Sequence, residues 1–168
     1  SEPGKGSTFT VTLKHKIADE SYYVKKHLEE SGISREILKD RSILLAEDND
    51  LNAEIAAVIL ERAGLKVERV EDGLQCISRI TEMPAGTYDI ILMDIQMPKM
   101  DGYKATQTIR NLSDQEKACI PIIAMTANAF EEDKRAAIAA GMNGHIAKPI
   151  QVDKLLSILA EMIRQQEN

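Results

Sequence analysis

Four apolar runs in this 168-residue chain each stop abruptly at a polar residue. Ile43-Leu44-Leu45-Ala46 stops at Glu47-Asp48, and Ile90-Ile91-Leu92-Met93 stops at Asp94. Ile122-Ile123-Ala124-Met125 stops at Thr126, and Ile146-Ala147 stops at Lys148-Pro149. Taken singly, Asp94 or Thr126 reads as a helix cap and Lys148 as a surface lysine. Taken together they are three acids, a hydroxyl and an ammonium. Carboxylates ~4 Å apart at an effective dielectric near 20 repel by about 4 kcal/mol per pair. A divalent cation removes that repulsion. Oxygen donors with no His or Cys among them select a hard ion, and Mg²⁺ is the natural choice. A Mg²⁺ held by few carboxylates keeps waters that phosphate oxygens can replace.

The elements around these residues explain how they could meet. A run of four apolar residues between turn signals reads as a strand buried on both faces, the kind found inside parallel sheets. Parallel strands end on one edge, and open α/β sheets bind ligands there. Strands are expected at 42–46, 65–70, up to Asp94, at 121–125 and at 144–147. Helices are expected at 51–63, 73–82, 102–112 and 130–140, with a last one following Pro149. Leu51, Ile55, Val58 and Ile59 are expected to form the buried stripe of the first of these. Val152, Leu155, Leu156, Leu159, Met162 and Ile163 are expected to form that of the last. Gly64, Pro84 and Gly141 serve as stops. Five βα units make an open parallel sheet with helices on both faces.

Composition narrows the function classes. Hydrophobic residues are 43% of the chain and aromatics 4%, with no Trp, so aliphatic side chains must build the core. The net charge is −6 and no long Lys/Arg block occurs, which argues against nucleic-acid binding. Cys76 and Cys119 have no CxxC spacing and read as reduced thiols. No run approaches the ~18 apolar residues of a membrane span. With no signal peptide the expected location is cytoplasmic, without direct membrane contact by this chain. The chain does not begin with Met and reads as a segment of something longer.

Glu47-Asp48, Asp94 with Met97-Pro98 and Met100-Asp101-Gly102, Thr126-Ala127 and Lys148-Pro149 resemble, in order, the motifs of the receiver domain of two-component response regulators. The resemblance covers about 41–163. It implies a flavodoxin-like (βα)5 sheet of strand order 2-1-3-4-5, which sets Glu47-Asp48 beside Asp94. It also implies the roles. Asp94 is the phosphoacceptor, attacking phosphorus to form an acyl phosphate. Asp48, Asp94 and the backbone carbonyl of Gln96 hold Mg²⁺, and Glu47 binds it through water. Lys148 and Thr126 contact the phosphoryl oxygens. The donor is a phosphohistidine on a histidine kinase or a histidine phosphotransfer protein. The family has a cis bond where Lys148-Pro149 stands, and Tyr or Phe where this chain has His145.

Ahead of the sheet, Thr8 to Leu13 alternates polar and apolar residues like a half-buried strand. Glu2-Pro3-Gly4, Gly6-Ser7-Thr8-Phe9 resembles the last glycine motif and strand of the ATP-binding domain of sensor histidine kinases. The implied organisation is a kinase remnant at 1–13, a partly helical linker at 14–40 and a receiver at 41–168. Helices at 19–30 and 35–39 are expected in the linker. That is the order of a hybrid histidine kinase, whose parent can be membrane-anchored. The kinase's own catalytic machinery is missing here, and none of His15, His27 and His145 lies in a recognisable dimerisation helix. Two other readings compete. A Mg²⁺-dependent phosphatase-like hydrolase usually has an Asp-x-Asp nucleophile motif, and Asp94-Ile95-Gln96 lacks the second acid. A phosphorylation-independent interaction domain would be favoured by loss of an acid or the lysine, and none is lost.

Overall fold

The computed structural model describes residues 35–127 and 131–166. The expected N-terminal strand and the 19–30 helix lie outside the described residues. The elements are α1 (Arg35–Leu38), β1 (Ser42–Ala46), α2 (Asp50–Arg62), β2 (Lys66–Val70), α3 (Gly73–Glu82), β3 (Ile90–Asp94), α4 (Gly102–Arg110), α5 (Gln115–Ala118), β4 (Ile122–Thr126), α6 (Glu131–Ala140), β5 (Gly144–Ala147) and α7 (Val152–Gln166). The five strands form one parallel sheet in the order β2-β1-β3-β4-β5.

Alternation along the strands divides the core into two layers. Ile43, Leu45, Ile90, Leu92, Ile123 and Met125 face α2 and α7, against Leu60, Leu155, Leu156, Leu159 and Ile163. Leu44, Ile91, Met93, Ile122 and Ala124 face the other way, against Cys76, Ile80, Ala105, Ile109 and Ala137. Burying a Leu or Ile fully is worth ~1.5–3 kcal/mol. The three central strands, apolar on both faces, are therefore the chief source of stability. Leu38 of α1 is also fully buried in the first layer, so the packed body extends back before residue 41.

The buried face of α2 differs from expectation. Ala53, Ala56, Leu60 and, just past its end, Ala63 are buried, while Leu51 and Ile55 are 65% and 48% exposed. Ile59 packs against the core, but Leu51 and Ile55 point outward. Small alanines let this helix lie close to the sheet, and its larger residues at 51 and 55 are left on the outer side. The face of α7 is as expected: Leu155, Leu156, Leu159 and Ile163 are buried, and Val152 and Met162 pack at the margin. The one-turn helix α5 was not anticipated. It is capped by Asp114, whose side chain accepts from the Glu116 and Lys117 amides.

Candidate phosphoryl and metal site

The carboxyl ends of β1, β3, β4 and β5 lie together. Ala46 pairs in register with Met93, Asp94 with Met125, and Thr126 with Ala147. One residue beyond Ala46 is Glu47, and one beyond Ala147 is Lys148. Glu47, Asp94 and Thr126 are buried, whereas Asp48 and Gln96 are exposed. The site is thus a buried floor with an acid at its solvent rim.

Lys148 joins the floor. Its Nζ is 2.6 Å from Glu47 Oε2 and 2.6 Å from Asp94 Oδ2. The Lys148 amide donates to the Thr126 carbonyl at 2.7 Å, and the Lys148–Pro149 bond is cis as expected. The remaining oxygens of the two buried acids are also engaged. Asn52 Nδ2 donates to Glu47 Oε1 at 3.1 Å, and the Gln96 amide to Asp94 Oδ1 at 3.2 Å. One carboxylate oxygen from each of Glu47, Asp48 and Asp94 lies within 4.8 Å of the others. Burial pushes the Asp94 carboxyl above its usual range, against the opposing pull of Lys148. Burial also works against the Lys148 charge, but the bonds to Asp94 and Glu47 outweigh it and raise its pKa. An all-oxygen set of this spacing, half buried and half open, fits a hard divalent cation that keeps solvent ligands.

Two glycines and a latch hold the loop after β3. A Cβ on Gly102 would lie 2.3 Å from the Asp94 carbonyl oxygen, and one on Gly73 would lie 2.7 Å from that of Met100. The helix α4 therefore begins directly beneath the acid it follows. Lys99, in the left-handed region at φ 61°, reaches the buried Asp72 at 2.5 Å. Asp72 in turn caps α3 through the Gln75 amide at 2.8 Å. Asn52, Arg69, Asp72 and Lys99 were not singled out from the sequence. Their roles depend on which strands are neighbours, and only the Asn49–Asn52 cap spacing left a local trace. His145 is half-buried in β5, opposite Ala124. A separate cleft of about 440 Å³ opens among Arg41, Pro84 to Asp89 and Cys119, and it contains none of these acids.

The 2-1-3-4-5 parallel sheet with helices on both faces is a flavodoxin-like fold, which the chain shares with the Vibrio cholerae chemotaxis response regulator CheY4 at a TM-score of 0.66 over 74% of this chain and 99% of that one. The chain belongs to the response regulator receiver domain family, whose model matches residues 43–160. It is 37% identical over 118 residues to the signal transduction histidine-protein kinase BarA of Escherichia coli, covering 70% of this chain and 12% of that one. The chain spans between 5% and 16% of the length of such curated relatives, which are histidine kinases. The receiver domain of a Pseudomonas aeruginosa sensor histidine kinase, solved with magnesium ion coordinated in its active-site cleft, is 38% identical. It superposes with a TM-score of 0.67 over 74% of this chain and 98% of that one. The Saccharomyces cerevisiae Ssk1 receiver, solved with the histidine phosphotransfer protein Ypd1, is 26% identical. Its TM-score is 0.69 over 76% of this chain and 92% of that one. Among the described residues no helix is long and apolar enough to cross a membrane.

Proposed function

We propose that this chain is the phosphoacceptor receiver of a hybrid histidine kinase, with Asp94 accepting a phosphoryl group from a phosphohistidine on a partner protein. One observation carries this reading: the Lys148 ammonium lies 2.6 Å from both Glu47 and Asp94, beside the exposed Asp48. Glu47, Asp48, Asp94 and the Gln96 carbonyl are the groups that would hold Mg²⁺. When bound, the ion neutralises the acids and the incoming phosphoryl oxygens. The Asp94 Oδ atom attacks phosphorus, the P–N bond breaks, and its electron pair returns to the donor imidazole. Lys148 then turns from its carboxylates to the phosphoryl oxygens, and the Thr126 hydroxyl donates to them. The new charge of about −2 is the signal. On this reading segment 1–13 would be a remnant of the kinase and 14–40 the linker of the parent protein, its last helix packing Leu38 into the receiver core.

The donor must approach over the exposed rim, and α2 borders that rim. Its outward Leu51 and Ile55 give a partner an apolar footing beside Asp48. A phosphorylated histidine phosphotransfer protein mixed with this chain and Mg²⁺ should pass on one phosphoryl group per chain. Sustained phosphate release from an ester would instead indicate the hydrolase. Leu51→Asp with Ile55→Asp should slow that transfer about tenfold, the equivalent of ~1.4 kcal/mol of docking. The same pair should leave labelling by a small acyl phosphate unchanged. Equal slowing with both donors would remove α2 from the docking surface.

A further inference from the structure

We infer that Arg69 is a positioning residue for the Glu47-Asp48 acid pair, setting the metal affinity of the site from the edge strand. Its guanidinium uses all three nitrogens on one short stretch of chain. Nε donates to the Glu47 carbonyl at 3.0 Å and Nη2 to the Asp48 carbonyl at 3.2 Å. Nη1 pairs with Asp50 Oδ1 at 2.8 Å. The Glu47 amide donates to the Val70 carbonyl at 3.0 Å, so β2 holds both the N–H and the carbonyl of Glu47. The two acids need this differently. Glu47 is buried and its side chain is held by Asn52 and Lys148. The exposed Asp48 carboxylate accepts no hydrogen bond among the described residues. Only its backbone aims it at Glu47 and Asp94, and Arg69 holds that backbone. A fork that binds two successive carbonyls cannot be replaced by a single ammonium.

Positioning by Arg69 and simple electrostatics have opposite effects on Mg²⁺ affinity. A guanidinium beside a cation site repels the cation, so on charge alone its removal would tighten Mg²⁺ binding. If Arg69 acts by positioning, removal weakens binding, because Asp48 must then be ordered by the metal itself. The proposal rests on the receiver reading, and a Mg²⁺ titration of the full chain separates the two. Wild-type protein that binds no Mg²⁺ overturns the site assignment. Given wild-type binding, Arg69→Met and Arg69→Lys should each weaken it about tenfold, the scale typical of groups that orient metal ligands. Asp50→Asn keeps both carbonyl bonds and should change the affinity less than twofold. In the metal-free protein, amide order parameters at Asp48 and Asn49 should fall in Arg69→Lys while those of β1 do not. Wild-type affinity in Arg69→Lys, or tighter binding in Arg69→Met, overturns the proposal.

Discussion

Lys148→Met is expected to cost the metal-free protein about 3 kcal/mol and to make its stability depend on Mg²⁺. The wild-type lysine is 17% exposed and bridges two acids whose side chains are 1% and 7% exposed, its single charge shared between them. Removing one partner of such a group leaves uncompensated buried charge, the costly way to break it. Methionine fills much of the same space, so the loss is mainly electrostatic. The pH dependence follows from the acids. Asp94 already has a raised folded-state pKa, and without Lys148 it rises further. A carboxyl with a raised folded pKa stabilises below its unfolded pKa, and that stability is lost as pH rises through the folded value. The variant should therefore be more stable near pH 5 than near pH 8, measured by denaturant unfolding in chelator. Mg²⁺ replaces the missing ammonium, so it should raise the melting temperature of the variant more than that of wild type. A variant as stable as wild type in chelator would show that the lysine does not stabilise these acids.

Gly102→Ala is expected to destabilise by about 3 kcal/mol, at the upper end for overpacking. The added Cβ would meet the Asp94 carbonyl oxygen at 2.3 Å, Met93 Cγ at 2.9 Å and the Asp94 carbonyl carbon at 3.1 Å. A flexible side chain could give way, but the nearest atom belongs to the backbone of the acceptor strand. Relief requires moving either the end of β3 or the start of α4. The second movement breaks the 3.0 Å bond from the Gly102 amide to Ile95. Either movement displaces Asp94 relative to Lys148, so phosphorylation should fall together with stability. A variant within 1 kcal/mol of wild type, phosphorylated at the normal rate, would mean the turn has slack that this packing denies.

The acids and the lysine were readable in the chain because buried parallel strands are continuous apolar runs. The point at which such a run stops marks the edge of the sheet. Glu47, Asp94, Thr126 and Lys148 each stand at such a stop. Strand order was not readable from the runs themselves. It came with the resemblance, and the pairing of β1 between β2 and β3 bears it out. The face of α2 was misjudged because size misled: Leu51 and Ile55 look like core, yet the alanines at 53 and 56 make the contact. Arg69 was invisible because nothing local distinguishes it from other charged residues of an edge strand. Its meaning comes only from the β1–β2 register, which sets it opposite Leu45, two residues before Glu47. The Lys99–Asp72 latch was hidden for the same reason, joining loops 27 positions apart.

The acceptor assignment is tested most directly by locating the phosphoryl group. The protein should be incubated with Mg²⁺ and a small acyl phosphate, quenched, and measured intact and as peptides by mass spectrometry. Wild type should gain one phosphoryl group, carried by the peptide containing Asp94 and labile to base as an acyl phosphate is. Asp94→Asn should gain none while remaining folded, since the amide occupies the same volume. Labelling that persists in Asp94→Asn, or that maps to any other peptide of the wild type, would contradict the account.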